Sequence, residues 1–292
     1  MTLKERGSRS AETSAAQRAL HTLHGRDPKI FEDPFAAELA GPFWKWFIKS
    51  KPMAVWLFER AFPWVMPMIA HHLARARYVE ERLDRLASEG LAQYVLLGAG
   101  MDSFAFRRPD LADTLTVFEI DHPGTQKRKR RRLRKLGWSE PSHVRYVAVD
   151  FETEVLRDAL TRSDFNRGQL SLFAWMGVIP YLTRESIVTT LEDVAGCAAP
   201  GSEIVLDTMD RAALTVGKDT PAGRKMFRAA ARMGEPMITG FDPPEISQLL
   251  AAAGFETLEI VTPQAFTKLW FEGRADGLAP WEWVYVVRAR VC

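Results

Sequence analysis

The chain has 292 residues, of which 47% are hydrophobic and 26% charged, with a formal net charge of only +2. That size suits one large α/β domain with an added cap, or two small domains, and the near balance of charge gives no bulk signal for a nucleic-acid or membrane partner. Two cysteines, Cys197 and Cys292, supply neither a disulfide framework nor a metal site. They fit a reducing compartment, and the first twenty residues lack the apolar core of a secretory signal, so a cytoplasmic protein without a metal is the expectation.

Residues 1–90 read as an N-terminal helical cap or lid. A helical pattern covers 14–24, Asp33-Pro34 opens another helix, and 71–88 carries Leu73, Ala76, Val79, Leu83 and Leu86 at helical spacing until Gly90 ends it. Between them, Phe43, Trp44, Trp46, Phe47, Trp56, Phe58, Phe62 and Trp64 look membrane-like. Lys45, Lys49, Lys51, Glu59 and Arg60 interrupt them, as do Pro52, Pro63 and Pro67, and a spanning helix needs about 20 apolar residues in a row. A substrate lid without a membrane span is therefore expected here, with peripheral membrane contact as the second reading.

After Gly90 the texture changes, and 91–292 reads as the main domain. Short apolar runs at 93–97, 115–120, 144–149, 170–175 and 203–208 alternate with helical stretches, among them 186–198 and 244–253. Such alternation predicts a doubly wound α/β fold with a parallel sheet. Two last runs, 256–261 and 283–291, have no strong helix between them and read as an antiparallel hairpin at the edge of a seven-stranded sheet. Residues 211–240 are a polar helical insert, read as a second lid.

Chemistry enters at the strand tips. The first strand runs into Gly98-Ala99-Gly100, where missing Cβ atoms let backbone approach a nucleotide-like ligand. A dinucleotide fingerprint wants Gly or Ala at 103, and Ser103 stands there, which disfavours a pyrophosphate cofactor. The second strand ends at Asp121, whose carboxylate can accept from both hydroxyls of a ribose; Glu119, two residues earlier, is the backup. The third ends at Asp150-Phe151, suited to an adenine amine and ring face. These tips line the sheet edge where open α/β sheets bind ligands.

With these motifs the chain resembles the class I methyltransferases of the leucine carboxyl methyltransferase type, in particular their bacterial relatives, from about Ser10 to Arg290. The resemblance is carried by Ala74-Arg75-Ala76-Arg77, Leu97-Gly98-Ala99-Gly100-Met101-Asp102-Ser103, Phe118-Glu119-Ile120-Asp121-His122-Pro123, Val149-Asp150-Phe151 and Gly177-Val178-Ile179-Pro180-Tyr181-Leu182-Thr183. It implies S-adenosylmethionine as cofactor, O-methylation as reaction, and a carboxyl group of a small molecule or peptide C-terminus as acceptor. It also implies that Arg75 binds the methionyl carboxylate, a task matched by the guanidinium fork. Arg77 is the neighbour most easily confused with it, and Arg18 stands nearest to the basic residue that the leucine-specific enzymes use in their first helix.

One motif departs from the family. Many relatives carry Glu immediately before the Gly-Val segment, where this chain has Met176, and often Met before the tyrosine, where it has Pro180. Met176 and Tyr181 are expected to shape the acceptor pocket. A carboxylate acceptor is already ionised and needs no general base; a phenol would need one, with His122 or His143 as candidates. The run 127–135, eight cations in nine residues, raises a rival reading as an RNA methyltransferase, which the absence of interleaved aromatics disfavours. A nicotinamide oxidoreductase and a member that binds cofactor without turnover are further alternatives. Oligomeric state is not readable.

Overall fold

A computed structural model describes residues 9–292, with all their side chains except those of Arg9, Val55, Leu57 and Glu59. Before the first strand lie α1 (Arg9–His24), α2 (Ala36–Ala40), α3 (Pro42–Lys49), α4 (Lys51–Val55), a π-helical turn (Trp56–Ala61) and the long α5 (Met66–Ser88). The sheet part runs β1 (Gln93–Leu97), α6 (Phe104–Arg107), β2 (Thr116–Asp121), α7 (Pro123–Leu136), β3 (Val144–Ala148), α8 (Leu156–Thr161), β4 (Ser171–Trp175), α9 (Arg184–Cys197) and β5 (Glu203–Met209). Then come α10 (Val216–Asp219), α11 (Pro221–Arg232), α12 (Pro243–Ala252), β6 (Phe255–Val261), α13 (Pro263–Phe266) and β7 (Val284–Val291).

The helix at Asp33-Pro34 starts later than its proline suggests. Asp33 is buried, accepting from Arg18 Nε at 2.8 Å on one carboxylate oxygen and from Phe35 N–H at 3.2 Å on the other, and the first helical residue is Ala36.

Seven strands form one sheet in the order β3-β2-β1-β4-β5-β7-β6. All neighbours among β1 to β5 pair in parallel. β1 and β4 are buried along their whole length because both sides of the sheet are covered, and their polar first residues, Gln93 and Ser171, are hydrogen-bonded to each other at 2.9 Å. Side chains alternate across it. Tyr94 and Leu96 join the core under α1 and α5, while Val95 and Leu97 join the core under α8, α9 and α12.

The last two strands refine the expected edge hairpin. β7 is inserted between β5 and β6, antiparallel to both, and β6 forms the edge. Their connection is not bare either: it holds α13 and a π-helical turn, Thr267–Phe271, whose Phe266 and Phe271 pack into the core beneath α5.

The topology positions the site. From β1 the chain winds outward to β2 and β3, then returns to the other side of β1 as β4. The loops after β1 and β4 therefore diverge, opening a crevice at the carboxyl ends of the strands. α1, α5 and the end of the 211–240 insert close over it.

Candidate functional site

A cavity of about 490 Å³ occupies this crevice, within the range of small-molecule and cofactor sites. Its lining brings together Arg75, Gly98, Ala99, Gly100, Asp121, Asp150, Phe151, Met176 and Tyr181. Arg18 and His122 line it too; Arg77, Glu119 and His143 do not.

The glycine loop is shaped by necessity. Gly98 has φ +79° and Gly100 φ +54°, in the left-handed region that favours glycine. A Cβ at 98 would lie 2.2 Å from Val178 Cγ2, and one at 100 would lie 3.1 Å from the Ala11 side chain of α1. The loop is thus pressed between the β4 tip and the N-terminal helix. Arg18 fastens that helix down, donating to Asp33 and, at 2.8 Å, to the carbonyl of Met101.

Asp121 accepts from Gly100 N–H at 2.5 Å and from His122 N–H at 2.7 Å, one on each carboxylate oxygen. Burial pushes this carboxyl up to about 6, against the pull of those two N–H groups. Each oxygen keeps lone pairs for a ligand. Glu119, the backup, is excluded: it is buried under the loop in an ion pair with Lys129 at 2.6 Å. Asp150 accepts from Glu152 N–H at 3.1 Å, and Phe151 stands 6.2 Å from the wholly buried Trp175.

Arg75 projects from α5 and is ion-paired with Asp207, near the end of β5. Asp207 also accepts from Gly177 N–H at 2.5 Å and faces His71 Nε2 at 3.0 Å. Burial would raise the Asp207 carboxyl, but Arg75, His71 and Gly177 overturn that and hold it well below the ordinary carboxylate range. Gly177 is again compulsory, with φ +73° and a hypothetical Cβ only 2.7 Å from Arg75 Nη2. Among the described residues, Arg75 has no other hydrogen-bond partner, so part of its donor fork is left for the cavity. Arg77 instead pairs with Glu81 and lies over the Trp270 ring, outside the site.

Three lining or supporting residues escaped the sequence reading. Asp207 had a visible signal, an acid inside the apolar run Ile204-Val205-Leu206-Asp207, which must find partners when buried. His72, hydrogen-bonded through Nδ1 to Gln17, sits in the lining, and burial together with Arg75 holds its imidazole well below the usual histidine range. Glu235, from the segment after α11, enters the lining with an oxygen, Oε2, that is buried and has no partner among the described residues. Burial and that carboxylate raise the Tyr181 phenol well above its usual value. The insert is anchored over the site where Ile238 N–H donates to the carbonyl of Pro180 at 2.8 Å.

The basic run is largely an internal fastening. Lys129 holds Glu119, Arg128 and Arg132 both reach Glu12 of α1, and Arg130 pairs with Glu140. Lys127, Arg131, Arg134 and Lys135 form the exposed face of α7.

The profile of the leucine carboxyl methyltransferase family matches residues 11–195. A Bacillus subtilis (strain 168) protein, YktD, whose name describes an S-adenosyl-L-methionine-dependent methyltransferase, is 32% identical over 98% of this chain and 98% of its own. Two crystal structures share the fold at low identity. One, a DUF574 family protein from Streptomyces avermitilis, matches with a TM-score of 0.58 and 14% identity over the whole of both chains. The other, described as a methyltransferase from Thermobifida fusca, has a TM-score of 0.57 and 16% identity, covering 88% of this chain and 92% of its own.

Proposed function

Because the chain belongs to the leucine carboxyl methyltransferase family of S-adenosylmethionine-dependent methyltransferases, we propose that it methylates a carboxyl group on a small molecule or peptide C-terminus. In this reading Asp121 accepts from the cofactor's ribose hydroxyls, Asp150 and Phe151 take the adenine, Gly98 to Gly100 cradle the backbone of the ligand, and Arg75 receives the methionyl carboxylate. When bound, the cofactor supplies an electrophilic methyl group on a sulfonium. The observation that carries the reading is the gathering of these side chains from β1, β2, β3 and α5 around one cavity.

The carboxyl acceptor is supported by what the two histidines of the cavity do. General bases work best with a pKa near the operating pH. His72 is pushed well below that range, and its Nδ1 is engaged by Gln17. His122 spends its Nδ1 lone pair on the N–H of Gly124, capping α7. A carboxylate acceptor asks neither for help, so catalysis rests on alignment and exclusion of water by α1, α5 and the insert. With Met176 in the place of the family's glutamate, Glu235, whose Oε2 has no partner among the described residues, is available to the methionyl ammonium.

The test is calorimetric titration with S-adenosylhomocysteine. Wild type should bind in the micromolar range, Arg75→Ala and Asp121→Ala should lose at least tenfold, and Arg77→Ala should be unchanged. Labelled methyl transfer to a panel of carboxylic acids and phenols then decides the acceptor; transfer confined to phenols would overturn the carboxyl reading.

A further inference from the structure

α3 turns an unusual face to solvent. Ile48 is fully buried, whereas Trp46, two residues away and therefore on the opposite side of the helix, is 66% exposed. Phe43, one turn back on the same side, is 67% exposed, and Trp56 and Phe62, in and just after the following π-helical turn, are 60% and 42% exposed. Solvent-facing positions normally hold polar residues; four large aromatics on one short stretch of the cap mark a contact surface. Indoles favour the boundary between water and hydrocarbon, where the ring is dry and its N–H wet.

The charges among these rings identify the occupant. Between Ala36 and Phe62 the chain has four cations, Lys45, Lys49, Lys51 and Arg60, and two acids, Glu38 and Glu59. Glu38 is already paired with Lys45. Lys49, Lys51 and Arg60 are exposed and make no ion pair among the described residues. A second copy docking through a two-fold axis would set these cations against themselves. An anionic surface satisfies them, and a lipid surface also accepts the aromatics. No helix of the described residues is long and apolar enough to cross a membrane, so the contact is peripheral.

We propose that the α3 face of the cap is a docking surface for an anionic lipid bilayer, with Phe43 and Trp46 entering the interface and Lys49, Lys51 and Arg60 meeting the headgroups. The experiment is co-sedimentation of the full-length protein with vesicles of phosphatidylcholine alone or mixed equally with phosphatidylglycerol. Binding is expected to the mixed vesicles only, to fall with added salt, and to drop at least tenfold in Phe43→Ser/Trp46→Ser. Each cation removed should weaken it about fivefold, so Lys49→Glu/Lys51→Glu should lose tenfold or more. An unchanged affinity for S-adenosylhomocysteine and an unchanged melting temperature certify that the variants are folded. The proposal is overturned if wild type ignores anionic vesicles, if neither double variant weakens binding, or if light scattering shows a dimer that Trp46→Ser dissolves.

Discussion

The Asp121 carboxyl offers a prediction with a worked magnitude. Its pKa is raised to about 6 because burial penalises the charge more than the Gly100 and His122 N–H groups favour it. Only the ionised form can accept from two ribose hydroxyls while keeping both N–H bonds. With that pKa the carboxyl is ionised in roughly nine tenths of molecules at pH 7 and roughly one tenth at pH 5. Affinity for S-adenosylhomocysteine should therefore fall about tenfold over those two units, equal to about 1.4 kcal/mol. The raised pKa also sets the sign of the stability term. Ionised Asp121 costs folding energy fully above pH 6, and the cost fades as pH falls toward the unfolded value near 4. Acid thus favours the empty protein at this residue and disfavours the complex. The assay is calorimetry at half-unit steps from pH 5 to 7 on wild type and Asp121→Asn. Groups common to wild type and variant cancel in the difference between the two profiles, so its slope isolates Asp121. A flat wild-type profile, or the same slope in Asp121→Asn, would refute the reasoning.

Gly98→Ala must displace Val178 and hold alanine at positive φ, so it should lose about 2 kcal/mol of stability and most cofactor affinity, read by urea unfolding and calorimetry; adding Val178→Ala should recover only the steric part. Lys129→Met strands Glu119 in the core and should cost about 3–5 kcal/mol in urea unfolding, with Glu119→Gln restoring much of it in the double variant. Asp207→Asn removes a carboxylate whose folded pKa is depressed, so the variant should be less stable than wild type at pH 7, with the gap closing as pH falls below about 4, followed by thermal melts across pH.

Strand tips were readable because they obey local rules. Gly98-Ala99-Gly100 follows an apolar strand directly, Asp121 closes the next and Asp150 lies two residues past the end of the third, so period and turn chemistry located them without knowledge of the partners. The same rules misplaced Glu119. Alternation along β2 says correctly that it shares a side with Asp121, but not that the helix α7 inserts Lys129 beneath the loop to neutralise it. The basic run was legible as a helix face partly paired with nearby acids, but which acids face it was not: Glu12 comes from α1 and Glu119 from β2. The closing hairpin was recognised as two strands, yet which of them lies inside is decided by sheet-wide packing. β7, with Val286, Val287 and Ala289 fully buried, belongs inside, while β6 exposes Glu256 and Glu259 and accepts the edge.

What the sequence concealed at the site depends on contacts between distant parts of the chain, 55 positions for His72 with Gln17 and more than a hundred for Asp207 with Arg75 and His71. Arg75 and Asp207 are 132 positions apart, and His71 joins the same carboxylate across 136. This group does more than hold Arg75 in place. Asp207 neutralises the guanidinium while no ligand carboxylate is present, and its bond to Gly177 N–H ties the α5 side of the cavity to the β4 loop that presses on Gly98 through Val178. In the proposed reading a ligand carboxylate arriving at Arg75 shares it with Asp207, whose other oxygen is held by Gly177 N–H of the β4 loop. On that reading Asp207→Asn is expected to weaken S-adenosylhomocysteine binding as Arg75→Ala does, read by calorimetry, and an unchanged affinity would show that the ion pair is structural only.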